Sequence, residues 1–298
     1  MSTLEVRNVS KTIGNKQILK DISFSVSSQQ VVGIIGPNGA GKSTLFKILT
    51  GLTKPSKGEV LLDSHNIHIF NKDIRNNIGF LIESPSLYDE LSGYDNINLC
   101  LKLHGAIKNN YIDLVCKKLD ISNYLNEKVK KYSQGMKQRL GIVCSLIFNP
   151  DFVILDEPTN SLDINGIKDI RDLIKFIKNQ GKAVIVSSHM LSEIEEICDR
   201  SIIISNGSIV DIVTKDANLN NFTENYIITV PFVENLLEIL SDEKYTISNN
   251  IVEINTHKEK FNTILKLLTK NNINILNIES EKNKLESYFL KKVGNNNG

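Results

Sequence analysis

No stretch of this 298-residue chain approaches the ~18 consecutive apolar residues of a membrane-spanning helix. The longest apolar runs, Val31 to Ile35 and Phe152 to Leu155, have the length of strands. The first residues, Met1 to Arg7, lack the apolar core of a secretory signal. A cationic surplus is missing too: Lys plus Arg number 35 against 34 Asp plus Glu. Non-specific nucleic-acid binding depends on such a surplus, so a polybasic role is excluded and no nucleic-acid partner is expected. Cysteine is scarce, and Cys100, Cys116, Cys144 and Cys198 stand far apart with no C-x-x-C pair. That excludes a disulfide framework or a zinc site and suits reduced, packed thiols. These absences leave a soluble, cytoplasmic chain that serves any membrane process through a partner.

What is present is ordinary globular material, 41% hydrophobic and 23% charged. At roughly 150 residues per domain, the length allows one large domain or two unequal ones. Strands are expected at 4–9, 18–26, 31–35, 59–62, 78–82, 152–155, 183–187, 202–205 and 209–213. Helices are expected at 42–52, over 94–125 with a break near Gly105 to Asn110, and at 133–148, 166–178 and 191–197. Strands alternating with helices predict an α/β core with a largely parallel sheet, and the strands at both ends add an antiparallel part. Around Lys215 to Thr223 the composition shifts to Asp, Asn and Thr. The expected boundaries are therefore a first domain over 1–215, a linker over 216–222 and a small α+β domain over 223–298. In the latter, strands at 226–230, 245–247, 251–254 and 273–278 with helices at 233–240 and 258–268 follow the β-α-β-β-α-β order of a ferredoxin-like module. A short last helix is expected at 284–291.

Gly36-Pro37-Asn38-Gly39-Ala40-Gly41-Lys42-Ser43, followed by Thr44, fits G-x-x-x-x-G-K-[ST] between a strand and a helix, the context this phosphate-binding loop requires. Its glycines let backbone N–H groups converge, and the helix N-terminus adds partial positive charge, so the loop is an anion nest. Lys42 is placed to reach the β- and γ-phosphates of a nucleotide and the Ser43 hydroxyl to bind Mg²⁺. Phe152 to Leu155 is an apolar strand that delivers Asp156 and Glu157 at its C-terminal end, where ligands of parallel sheets sit. Asp156 would hold Mg²⁺ and Glu157 would orient or deprotonate the attacking water.

Tyr132-Ser133-Gln134-Gly135-Met136-Lys137-Gln138-Arg139-Leu140 resembles the signature of ABC-type ATPases, commonly Leu-Ser-Gly-Gly-Gln. Asn160-Ser161-Leu162-Asp163 resembles their D-loop, and Ser188-His189 after a strand resembles their switch histidine. Order and spacing match over residues 4–214. The resemblance implies a P-loop ABC ATPase domain with a helical insert, hydrolysing ATP with Mg²⁺. It implies two subunits, a homodimer or a pair with another ABC subunit, closing head to tail on ATP. Ser133 and the Gly135 backbone of one would then cap the nucleotide held by the other, with Asp163 nearby. His189 would contact the γ-phosphate. It also implies separately encoded permease subunits that hold the chain on the inner face of the cell membrane.

Two departures inform. Where the family carries a Q-loop Gln, this chain has Glu83, expected at the metal and the attacking water. Glu there, with a Tyr-Ser-x-Gly-Met-Lys-Gln-Arg signature, is similar to the exporters that protect bacteria from lantibiotics, bacitracin and similar peptides. Ile13 stands where the family stacks adenine on an aromatic, and no aromatic precedes Phe24. Since a base–aromatic stack is worth ~1–3 kcal/mol, weaker ATP affinity or relaxed base choice follows. The rival class, a soluble ABC ATPase of DNA repair or translation, would carry a long coiled coil or a second phosphate loop, and neither is here. His65 and His68, three apart on a strand-like stretch, face opposite ways and make no metal pair. Part of the helical insert, with Ser86 to Leu91, would receive the membrane partner.

Overall fold

Alternating apolar residues open the chain, and in the computed structural model they form an antiparallel sheet of β1 (Thr3–Ile13), β2 (Lys16–Ser27), β4 (Lys57–Leu62) and β5 (His65–Asn66), in the order β2-β1-β4-β5. The structure describes residues 2–68, 77–105, 110–188, 190–214, 224–231 and 245–280. The chain divides into two units, Met1–Val213 and Thr214–Gly298. In the first, a six-stranded sheet has the order β10-β9-β3-β8-β7-β6. Its members are β3 (Val31–Ile35), β6 (Ile78–Leu81), β7 (Phe152–Leu155), β8 (Ala183–Ser187), β9 (Arg200–Ser205) and β10 (Ser208–Thr214). β3, β7 and β8 are buried at every residue, which is why they read as unbroken apolar runs rather than alternating ones. β9 turns into β10 through Asn206 and Gly207, both at positive φ, as a two-residue hairpin requires.

Helix α1 (Lys42–Leu49) lies between the two sheets: its Leu45, Phe46, Ile48 and Leu49 share one core with Leu4, Val6, Leu19, Val32, Ile34 and Phe152. Phe46 and Phe152 are fully buried, and truncating either to Ala would cost about 3–5 kcal/mol. The helix stops three residues short of the expected 52. Thr50 Oγ1 donates to Phe46 O, and Gly51 takes φ 75, breaking the ladder. The helical insert consists of α2 (Gly93–His104) and α3 (Asn110–Lys118). A short 3₁₀ turn (Val129–Lys131) then leads into α4 (Gln134–Ser145), with α5 (Ile164–Asn179) and α6 (Leu191–Ile197) further on. No helix among the described residues is long and apolar enough to cross a membrane.

The second unit has a four-stranded sheet of β11 (Glu224–Thr229), β12 (Tyr245–Ser248), β13 (Ile251–Thr256) and β14 (Asn277–Ser280), in the order β12-β13-β11-β14 with every pair antiparallel. Helix α7 (Lys258–Lys270) supplies Phe261, Ile264 and Leu268 to a core with Tyr226, Ile228, Val252 and Ile254. Phe261 stacks on Tyr226 with ring centroids 3.5 Å apart. The last strand begins four residues after the expected 273. Ile273 N–H is used at the helix end, donating to Leu268 O, while Ile273 and Ile275 pack on the core outside the ladder. The helices expected at 233–240 and 284–291 lie outside the described residues, as does the expected linker.

Candidate functional site

The phosphate loop leaves β3 at Gly36 and enters α1 at Lys42. Gly41 is the helix N-cap at φ 105, and a Cβ there would lie 2.7 Å from Leu19 Cδ2, so only glycine serves. With no side chain capping the helix, its first turn offers backbone N–H groups to an anion. Lys42 Nζ curls over the loop, donating to Gly36 O at 2.7 Å and Pro37 O at 3.3 Å. Ala40 is buried, and its N–H donates to Pro37 O, so it shapes the loop from within.

Two acids stand beyond adjacent strand ends in matching positions. β6 and β7 pair in parallel with Leu81 opposite Leu155, and two residues on from these come Glu83 and Glu157. Both take left-handed backbone, φ 61 and φ 49, a region that residues with a Cβ enter rarely and that clusters at functional sites. Asp156, between strand and turn, is buried, and Ser187 Oγ at the end of β8 donates to its Oδ1 at 2.6 Å. The same hydroxyl accepts Glu157 N–H at 2.9 Å, so one serine fixes both the buried acid and the backbone of the next. Glu83 is exposed, and Lys47 Nζ lies 2.8 Å from its Oε1.

These parts meet in one cleft of about 650 Å³. Of the expected residues, Asn38, Gly39, Gly41, Lys42, Ser43, Thr44, Glu83, Asp156 and Glu157 line it. Gly36, Pro37, Ala40, Ser133, Gly135 and Asp163 do not, and His189 lies outside the described residues. Sequence reasoning gave no place on its walls to Lys16, Ile18, Ser84 and Pro85, nor to Gln134, Gln138, Asn160 and Ser161, which it named only as parts of motifs. Gln138 is buried, and its Nε2 donates to Glu157 O and Pro158 O, each at 3.4 Å. The available signal was its place one helical turn after Gln134, on the same face. Ile13, at the end of β1, is 56% exposed and outside the cleft, and among the described residues lining the cleft none is aromatic.

The signature sits beside this cleft. Ser133 is exposed and caps α4, accepting Met136 N–H at 3.2 Å. Tyr132 anchors the entry, its hydroxyl donating to Tyr124 O at 2.6 Å, with burial pushing its phenol up from the ordinary range. A Cβ on Gly135 would come 2.9 Å from Ser161 O, so α4 and the segment before Asp163 touch through backbone. Asp163 caps α5, accepting Gly166 N–H at 2.9 Å, and is otherwise exposed. Arg139 ties these helices, donating to Leu119 O at 2.7 Å and lying 3.0 Å from Asp169. Burial raises the Asp169 carboxyl, and Arg139 opposes that rise. The segment after Glu83 is joined to the turn before Ser133 by Val129 N–H to Leu91 O and Lys130 N–H to Asp89 O, both 2.9 Å. Behind the cleft, Glu193 is buried; its Oε2 accepts Thr159 Oγ1 at 2.7 Å and Ser188 Oγ at 3.3 Å.

The family model for the ABC transporter matches residues 19–160. The chain is 38% identical to an uncharacterized ABC transporter ATP-binding protein, YhcH, of Bacillus subtilis, over 98% of this chain and 96% of that protein. It is 40% identical to the lantibiotic transport ATP-binding protein SrtF of Streptococcus pyogenes, over 70% of this chain and 89% of that one. It is 32% identical to the bacitracin transport ATP-binding protein BcrA of Bacillus licheniformis, over 99% and 98%. Among solved structures it resembles the dimeric post-hydrolysis state of the ATP-binding cassette MJ0796 bound to ADP and Pi. There the TM-score is 0.65 at 28% identity, over 72% of this chain and 99% of that one.

Proposed function

The chain belongs to the ABC transporter family as one of its ATP-binding ATPase subunits, and we propose that two copies power an exporter of a lantibiotic or related peptide antibiotic through separately encoded membrane subunits. The observation that carries the chemistry is the single cleft holding Lys42, Ser43, Asp156 and Glu157. Lys42 and the first-turn N–H groups of Ser43 and Thr44 receive the phosphates, on the loop from Gly36 through Gly41. Ser43 and Asp156 bring hard oxygen donors to one wall. That set suits Mg²⁺, which takes one or two protein oxygens and otherwise phosphates and water. When bound, the ion offsets charge on the β- and γ-phosphates. Glu157 orients the attacking water and accepts its proton, so that ATP and water give ADP and phosphate. On the same reading Glu83 would serve the metal and the attacking water, and His189 would contact the γ-phosphate.

Ser133, Gly135 and Asp163 act on the nucleotide of the second copy. The exposure of Ser133 and Asp163 beside the cleft supports this, together with Ile164, an apolar residue 86% exposed next to Asp163. The similarity to a dimeric cassette points the same way. Exposed Tyr88, Tyr94 and Leu103 on and beside the helical insert suit a membrane partner, which would hold the chain at the cytoplasmic face. The peptide cargo rests on the relatives named for lantibiotic and bacitracin transport. We assign the ATPase domain to 1–215, the linker to 216–222 and an accessory ferredoxin-like module to 223–298. Support for that module is its strand order, in which the first strand in sequence lies between the third and the fourth.

Affinity purification of the tagged chain from gently solubilised membranes of its native cell is the test. A multi-spanning protein should co-purify, and deleting the gene should sensitise the cell to a lantibiotic or to bacitracin. Recovery with soluble repair or ribosomal proteins instead would remove the transport role. Unchanged sensitivity to both peptides would remove the cargo.

A further inference from the structure

Three carboxylates, Glu83, Asp156 and Glu157, line a cleft whose occupant on the reading above is a triphosphate. Like charges sharing one cleft repel, so the acids and the nucleotide coexist more readily if the acids are offset. Asp156 has the Ser187 hydroxyl, and the Glu157 backbone is held by Ser187 and Gln138. Glu83 has a cation beside it, through the hydrogen bond from Lys47 Nζ to Oε1 at 2.8 Å. Lys47 is not among the residues lining the cleft. α1 makes this possible: its core side is Leu45, Phe46, Ile48 and Leu49, which leaves Lys47 on the side where the chain passes from β6. The other lysine of the helix, Lys42, is turned to the loop carbonyls. Lys47 and Glu83 side chains are 41% and 60% exposed, so the pair adds little to folding. Its consequence is where charge sits.

We propose that Lys47 is a positioning residue of the nucleotide site: it neutralises Glu83 and holds that carboxylate at the cleft wall, so that a polyanion is admitted beside it. This rests on reading the cleft as an ATP site.

The test is a double-mutant cycle in the full-length chain, comparing wild type, Lys47→Met, Glu83→Gln and the double variant. Affinity for a fluorescent ATP analogue is titrated in EDTA and in magnesium, and steady-state hydrolysis is followed alongside. Lys47→Met should weaken binding roughly twofold to fivefold at low salt, with KM rising more than kcat falls. The loss should shrink at 0.5 M salt, where surface charges are screened to about 3–5 Å. It should vanish in the Glu83→Gln background, and Lys47→Arg should restore it. An equal loss with Glu83→Gln, a loss insensitive to salt, or no loss at all would each overturn the proposal. If the wild-type chain binds no nucleotide, the ATP reading itself has failed, which is a separate outcome.

Discussion

The cleft wall and the signature are built to different standards of completeness. At the wall, Asp156 is buried and bonded, Glu157 is held through its backbone at two points, and the loop closes over Lys42 with its own carbonyls. At the signature, Ser133 and Asp163 each make one local cap bond and face outward. The first is preorganised by its own fold; the second presents groups that, on the proposed reading, a second surface uses. The difference teaches that preorganisation and partner dependence can be separated within a single chain, and substitutions on each side should separate them further.

The largest effect belongs to the wall. Glu157→Gln should leave nucleotide binding intact and lower steady-state hydrolysis by about 10²–10⁴-fold. Elution as a dimer in ATP but not in ADP would show the closed pair being trapped, whereas unimpaired turnover would remove Glu157 from its role. At the signature, Ser133→Ala loses the cap, worth about 1 kcal/mol in thermal or denaturant unfolding. Ser133→Asp keeps a capping oxygen and so should keep that stability. It adds charge against a facing phosphate, so ATP-driven dimerisation should drop by roughly tenfold in sedimentation. Equal dimerisation in both variants would leave Ser133 as a cap alone. Smaller still, ATP and a triphosphate lacking the base should bind within about fivefold of each other, because no aromatic is among the described residues lining the cleft. A strong preference for adenine, measured by competition, would place base recognition on Lys16 or Ile18.

The smallest effect reports on the helices behind the signature. Cys100 on α2 accepts a hydrogen bond from the Cys144 thiol on α4, which brings its pKa down to about 7, while the same bond and burial push Cys144 up. The thiolate is the reactive form, so alkylation of Cys100 should climb with pH up to about 7 and then level off. An ordinary thiol would keep climbing towards 9. Mass spectrometry of iodoacetamide-treated protein reads this directly, and a rise continuing to pH 9 would mean the two helices do not meet there.

The phosphate loop was legible because its constraints are local: glycine is required by a backbone angle at Gly41, and Lys42 follows in the same turn. The strands β3 and β7 were legible because burial on both faces leaves no polar position. Ser187, Gln138 and Lys47 were not, since each acts on a residue 19 to 36 positions away. Nothing near Ser187 signals that β8 will lie beside β7 with Val186 opposite Leu155. The late start of β14 was hidden for the opposite reason. Ile273 and Ile275 have the alternation of a strand, but they serve the core while the backbone closes a helix. In the second unit, then, hydrophobic pattern and hydrogen-bond ladder part company for four residues.

Glu193 carries one more consequence. Because a single buried oxygen accepts from Thr159, just past β7, and from Ser188, just past β8, neither loop can be altered in isolation. Effects of substitutions at the two hydroxyls should depart from additivity by about 0.5–3 kcal/mol. Once one hydroxyl is gone, the other becomes harder to replace, so these two segments are expected to drift together rather than as separate pieces of sequence.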